Sequence, residues 1–452
     1  MAVPNRCVTT RDSYLLPPSF RALTESGTLC YKASPQNHKA IKKKAFTQMK
    51  TLTVGETFGF RGGLEQYCFQ VANALSELGH SHILLHEQRS NVDEKRYRAA
   101  FEDVTAIPPN AGEAEYDRFL AGVCAKHEPD VAVVHKSRNL GFIRALCRRL
   151  PAVAIIQDHF IYCLREARYF PGSRKICTHR LGLHCLINGG FLGRPLRWGF
   201  MPAIHRLGPR KRLLAAHRDF DGVVVLSNHM KSELVLNGFD AARVDVVHGF
   251  TVLPEKELPA PPPDSKKILF VGQVIRHKGV DVLLRAMAEL PEDVRLTVVG
   301  EGGALDANKA LAKELGLGGR VEFAGWLNHD AIEQHYRDTA VQVVSSVWAE
   351  PFGLVGLEAM ARCRPVVAFD VGGISDWLED GETGLLVKEI SPSALAKAIG
   401  QILENPEAAA EMGRKGRRRV VEKFVPAVAG KKIEACLQKA IERRAAADKA
   451  AS

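Results

Sequence analysis

Several features are missing from this 452-residue sequence, and each absence removes a class of protein. No uninterrupted apolar segment approaches about 18 residues, so no membrane-spanning helix is expected. The opening Met1-Ala-Val-Pro-Asn-Arg6 lacks the apolar run of a secretory signal. The 10 cysteines are scattered without close pairs, which fits a reducing cytosol better than a disulfide framework. The net charge is +11, yet no recognised nucleic-acid-binding module accompanies it, so nucleic acid is not expected as a partner. The expected location is the cytoplasm, with peripheral contact at the inner face of the membrane as an extension of that reading.

What is present describes a folded α/β protein. With 46% hydrophobic and 25% charged residues, the chain can bury full cores, and its length suits two domains. Residues 1–48 have no clear period and read as an extension outside the fold. A first Rossmann-like β/α/β domain is expected over 49–251. It opens with a strand at Thr51–Glu56, a glycine loop at Gly62-Gly63, and a helix carrying Leu64, Phe69, Val71, Ala72, Leu75 and Leu78. Further strands are expected at Ile83–Leu85, Val131–Val134, Val153–Ile156 and Val223–Leu226. Residues 252–265, with Pro259 and Pro261–Pro263, form a stiff linker. A second Rossmann-like domain follows over 266–425. Its strands are expected at Ile268–Val271, Leu296–Val299, Val321–Phe323, Val341–Ser345 and Val366–Phe369. A basic helix occupies 426–452. Two such domains put a cleft between their strand ends, where ligands of open α/β sheets bind.

The most informative stretch is Glu350-Pro-Phe-Gly-Leu-Val-Gly-Leu-Glu358-Ala-Met-Ala361. It follows the apolar run Val341–Trp348, which reads as a buried strand, and Leu354, Leu357, Glu358 and Ala361 then fall at helical spacing. Pro351 suits a first helical position, and Gly353 permits close approach of a ligand to the backbone. Free N–H groups and the positive dipole end of such a helix attract phosphate. Phosphate alone does not call for a carboxylate on each side of the turn. A ligand that also carries hydroxyls, such as a sugar diphosphate or nucleotide sugar, does.

Glu-x7-Glu with interior Pro-Phe-Gly-Leu resembles the signature of family 4 retaining glycosyltransferases, which have the GT-B fold. The resemblance continues through Ile268–Gly272, Lys278–Asp281, Val298–Gly302, Pro365–Ala368, Gly372–Trp377 and Gly384–Val387. It covers roughly residues 50 to 430 and is strongest in the second half. It implies two Rossmann-like domains facing each other across a cleft, the first (49–251) for the acceptor and the second (266–425) for the nucleotide-sugar donor, a terminal helix packing back on the first domain, and transfer of a sugar with retention of configuration.

Within that frame, Lys278 stands in the loop after a strand, where a lysine places a point charge on a diphosphate. Arg276 is the candidate second cation, the alternative being a surface cation beside a turn. Gln273 stands where the family pattern has arginine. Eight helical residues correspond to a rise of about 12 Å and a turn of about 80°. A hydrolase-type carboxylate pair needs roughly 5 to 9 Å, so Glu350 and Glu358 are not expected to act as paired acid and base. The resemblance implies that Glu350 faces the transferred sugar and Glu358 accepts from the ribose hydroxyls. The backbone amides of Phe352, Gly353 and Leu354 are the expected phosphate and sugar donors. Gly62 and Gly63 close over the donor from the first domain, or serve only as an ordinary helix entry. No nucleophile-and-base pair is visible, so stabilisation of the leaving diphosphate is the main task. No cofactor and no metal are expected, the nucleotide-diphosphate sugar being the donor substrate.

The first domain departs from the family. In Ile155-Ile-Gln-Asp-His159, Gln157 occupies the position of a family histidine, and His159 follows Asp158. His159 is either its substitute or a structural histidine, and Asp158 is a second candidate beside the same opening. Cys163, Cys177 and Cys185 with His159, His179 and His184 lack a Cys-x-x-Cys pair, which leaves zinc a minority reading. The insertion over 160–218 is rich in arginine, including Arg165, Arg168, Arg174, Arg180, Arg194, Arg197, Arg206, Arg210 and Arg218, with Phe170, Phe191, Trp198 and Phe200 among them. It suits anionic lipid or a polyanionic acceptor, and equally a solvated basic face. The reading is a GT-B enzyme moving a hexose-type unit to a glycan or lipid-linked acceptor in surface polysaccharide or lipopolysaccharide assembly. Its competitors are an epimerase or phosphorylase on the same fold, and a non-catalytic nucleotide-sugar-binding scaffold.

Overall fold

The computed structural model describes residues 48–170, 173–187, 192–195, 202–204 and 206–451. The extension expected over 1–48 lies outside the described residues except for Gln48, as do Phe191, Arg197, Trp198 and Phe200 of the insertion.

The first half is one parallel sheet of β1 (Lys50–Phe58), β2 (Ser81–Arg89), β3 (Asp103–Ala106), β4 (Val131–Val134), β5 (Ala152–Ile156), β6 (Gly222–Val225) and β7 (Val244–Val246). Their order is β7-β6-β5-β4-β1-β2-β3. The second half repeats the plan with β8 (Lys267–Val271), β9 (Arg295–Val299), β10 (Val321–Gly325), β11 (Thr339–Val344), β12 (Val366–Phe369) and β13 (Gly384–Val387), ordered β10-β9-β8-β11-β12-β13. All these pairings are parallel. β4 and β5 are buried at every position, as befits strands covered by helices on both faces. β3 escaped the sequence reading because it is a half-exposed edge strand with little apolar pattern.

In each sheet the order reverses beside the first strand, between β1 and β4 and between β8 and β11. A crevice opens at the carboxyl ends of the strands at such a switch point. Helices α1 (Gly63–Ser76), α2 (Asn228–Leu236), α3 (Val280–Glu289) and α4 (Leu354–Ala361) all start from that side. The final helix, α5 (Pro426–Ala451), lies against the first sheet with Ile433, Leu437 and Ala440 buried. The Met49 amide donates to His80 Nδ1 at 3.0 Å, which leaves the His80 Nε2–H to donate to Glu434 of α5 at 2.9 Å. Arg444 of α5 adds an ion pair to Asp221 at 2.9 Å.

Candidate active site

Two loops of the second half meet because one residue between them has no side chain. Gly279 adopts φ +70, and a Cβ there would lie 1.9 Å from the Ser345 carbonyl oxygen. The close approach lets Ser345 Oγ donate to the Lys278 carbonyl at 2.9 Å, and the Val347 amide donate to the His277 carbonyl at 2.9 Å. The loop after β8 is thereby tied to the loop after β11, which brings Lys278 onto Glu350. Lys278 Nζ lies 2.7 Å from Glu350 Oε2 and 3.0 Å from Oε1. The same carboxylate accepts from Ser346 Oγ at 2.7 Å and Trp348 Nε1 at 2.8 Å. Burial by itself raises the Glu350 carboxyl, and the ammonium and the two neutral donors more than offset it, holding the group below the usual carboxylate range. Glu350 is therefore a buried anion, 5% exposed, oriented by three side chains.

Beside it stands the tip of α4. Gly353 caps the helix at φ 90, and the Gly356 amide reaches the Gly353 carbonyl at 3.0 Å. Among the described residues, the amides of Phe352, Gly353, Leu354 and Val355 donate no hydrogen bond. The helix does not start at Pro351, as the sequence suggested, because the left-handed Gly353 breaks the helical path first. Pro351 instead offers its carbonyl to Ser227 Oγ across the cleft at 2.7 Å. Glu350 consequently lies outside the helix, in the turn before it, so the rise and turn of eight helical residues do not describe its relation to Glu358. Trp377 Nε1 donates to the Phe352 carbonyl at 2.5 Å, and the Phe352 ring is buried against Gly249 of the first half.

Glu358 lies in the second turn of α4, half-buried. Burial raises its carboxyl; Arg362 opposes the shift and Glu333 adds to it. Arg362 is itself occupied by Glu333 and by the Glu358 carbonyl at 2.9 Å. The Glu358 carboxylate makes no hydrogen bond among the described residues, which leaves it free to accept from ligand hydroxyls. Gln273 and Arg276 are exposed beside the same loop, and Arg276 forms no ion pair among the described residues.

Across the cleft, Gly62 and Gly63 are exposed at the start of α1, with Gly62 extended at φ −175. Asp158 accepts from Lys136 Nζ at 3.2 Å and from the Phe160 amide at 2.8 Å, and Lys136 also lies 3.4 Å from Glu56. Gln157 contacts the buried His135, Nε2 to Nδ1, at 3.0 Å. His159 corrects the catalytic role considered for it. It is fully buried, with Nε2 donating to the Ala349 carbonyl at 2.6 Å and Nδ1 accepting from Tyr162 OH at 2.7 Å. Burial pushes its pKa down to about 3. With both nitrogens engaged, His159 is a neutral bolt between the halves, stacked edge-on against Trp348 at 5.4 Å.

Ser346, Trp348, Lys136 and Ser227 escaped the sequence reading. Only the first two carried a signal, as polar or amphipathic groups ending a buried apolar run. Cys163, Cys177, Cys185, His179 and His184 line a cavity of about 30 Å3 to which His159 contributes no lining. Among the described residues no three metal-ligating side chains are placed to hold an ion. Part of the basic insertion is neutralised: Arg210 pairs with Glu166, which also binds Arg138 from outside the insertion, Arg168 pairs with Glu233, and Arg174 pairs with Asp281 of α3 at 2.5 Å.

Residues 255–419 match the family described as glycosyl transferases group 1, and residues 61–251 match glycosyltransferase family 4. A D-inositol 3-phosphate glycosyltransferase 2 of Catenulispora acidiphila is 33% identical over 291 residues, 55% of this chain and 67% of that protein. The chain belongs to the group 1 glycosyltransferases. It spans 36% to 49% of the length of seven other curated relatives it matches. The glycosyltransferase fold is GT-B. An Anabaena protein, Alr3699/HepE, solved with UDP, superimposes with a TM-score of 0.66 at 19% identity, covering 86% of this chain and 100% of that one. A lipopolysaccharide outer core galactosyltransferase, WaaB, follows at 0.60 and 16%, covering 86% and 99%. In a glycosyltransferase, open amides at a helix tip beside a lysine suit an anionic leaving group, and a carboxylate without a protein donor suits its hydroxyls.

Proposed function

We propose that this protein is a retaining, metal-independent glycosyltransferase that moves a hexose-type unit from a nucleotide-diphosphate sugar to a glycan or lipid-linked acceptor. One observation carries the reading: four undonated amides at the α4 tip adjoin an oriented Glu350–Lys278 pair. In this reading the diphosphate takes the amides and Lys278, Glu350 turns to a sugar hydroxyl, and Glu358 accepts from the ribose. As the C1–O bond breaks, charge collects on the diphosphate, where Lys278 and the helix tip stabilise it. The departing phosphate accepts the proton of the acceptor hydroxyl, which attacks from the same face. Surface polysaccharide or lipopolysaccharide assembly is the proposed setting, by analogy with the lipopolysaccharide outer core galactosyltransferase that shares the fold. Contact with the anionic inner face of the membrane is supported by Leu183 and Ile187, 69% and 79% exposed, near the exposed Lys175 and Arg180. No helix among the described residues is long and apolar enough to cross a membrane. The test is a thermal-shift panel of UDP, GDP, ADP and their sugars. One diphosphate is expected to raise the melting temperature clearly, and silence from all of them removes the donor site.

A further inference from the structure

The outer flank of α1 carries a feature that the donor chemistry does not use. Gln66, Gln70 and Asn73 recur at helical spacing and line a groove of about 550 Å3, closed on its other side by Val252 and Pro426. All three amides are half-buried, and none makes a side-chain hydrogen bond among the described residues. A half-buried amide without a protein partner keeps one acceptor and two donors for something else. Phe69 stands in the same wall, and the Arg96 guanidinium lies 5.4 Å from its ring centroid and 5.3 Å from that of Phe60. Val252, 56% exposed, adds an apolar edge. From Gln66 to the C-cap Glu77 the polar stripe spans twelve residues, a rise of about 16 Å. That is long enough for a short run of linked sugars, whose alternating hydroxyls and C–H faces match amides, aromatic ring and guanidinium. Because α1 starts at Gly63, at the carboxyl end of β1, Gln66 at one end of the stripe stands one turn from the glycine loop.

We propose that this stripe is a binding track for the acceptor glycan, so that the acceptor is an extended oligosaccharide rather than a single sugar. The proposal rests on the glycosyltransferase reading above and adds the acceptor class. A basic or acidic polymer is not favoured, since Arg96 and Glu77 are the charged residues of the groove and oppose each other.

The experiment uses the full chain, saturated with whichever nucleoside diphosphate stabilises it, on an array of bacterial lipopolysaccharide-core and capsular fragments graded from single sugars upward. Wild type is expected to retain longer fragments more strongly than single sugars. The Gln66→Ala/Gln70→Ala/Asn73→Ala variant is expected to lose that preference by about tenfold or more in affinity. Its nucleotide-induced thermal shift and its own melting temperature should stay unchanged, because these side chains hold nothing together. Gln70→Trp, which fills the groove, should do the same. Unaltered length preference in both variants overturns the track, as does a wild type that binds no fragment better than a single sugar. A wild type without any nucleotide shift overturns the underlying donor assignment instead, so the two failures are told apart.

Discussion

Lys278 Nζ donates to both oxygens of the Glu350 carboxylate, at 2.7 and 3.0 Å, although the residues are 72 positions apart. A donor that draws the ammonium to its diphosphate must at the same moment free the carboxylate, so phosphate binding and sugar recognition are coupled through one ion pair. Glu350→Ala should therefore cut transfer by orders of magnitude while diphosphate binding, read by thermal shift, survives. Equal loss of both would mean that the two acids have been given each other's roles.

Glu358 answers to a different part of the ligand. Charged acceptors to buried hydroxyls are each worth about 1.5–3 kcal/mol. Glu358→Ala should abolish the nucleotide-induced rise in melting temperature, and restoring length with Glu358→Gln should recover only part of it. A full shift in the alanine variant removes the ribose assignment.

Glycines at the two helix entries should respond oppositely. Gly353 sits at φ 90, where an L side chain costs roughly 1–2 kcal/mol, and the added Cβ lies 3.5 Å from Glu350 Cγ. Gly353→Ala should destabilise by about that amount in urea unfolding. Nothing lies within 4 Å of a Cβ at Gly63, so Gly63→Ala should leave stability unchanged or slightly higher. If Gly63→Ala also leaves transfer unchanged, the first-half loop is only a helix entry.

Acid should weaken the fold through its buried histidines. Burial holds His135 and His159 near pKa 3 and His82 and His217 near pKa 4. An unfolded histidine, with a pKa of about 6.5, binds protons that the folded one refuses. Stability is thus complete above about pH 6.5 and falls as pH drops toward the folded values, by on the order of 2 kcal/mol per histidine at pH 5. The melting temperature should drop steeply between pH 7 and 5. A flat profile would show that these imidazoles take up protons in place.

Much of this architecture is written locally. Valine-rich runs such as Val131–Val134 and Val366–Phe369 are strands because every position is apolar, and the structure finds them at those residues. The strand, turn and helix around Glu350–Ala361 are legible for the same reason: periodicity reports burial, and burial is a property of neighbours in sequence. Local pattern could not place the helix start, because that depends on the backbone sign at Gly353, nor reveal β3, whose edge position leaves it half polar.

The roles of single side chains were decided elsewhere. His159 reads equally as a catalyst or a structural histidine until Ala349, 190 positions away, takes its proton donor. Lys278 and Glu350 become one unit only because Gly279 lets two loops pack backbone against backbone. The sequence alone determined most of the buried strands and the helices that follow them, in two successive arrays. Which polar groups touch across the cleft was left to the tertiary structure, since a hydrogen bond is set by distance in space and the chain encodes only distance along itself.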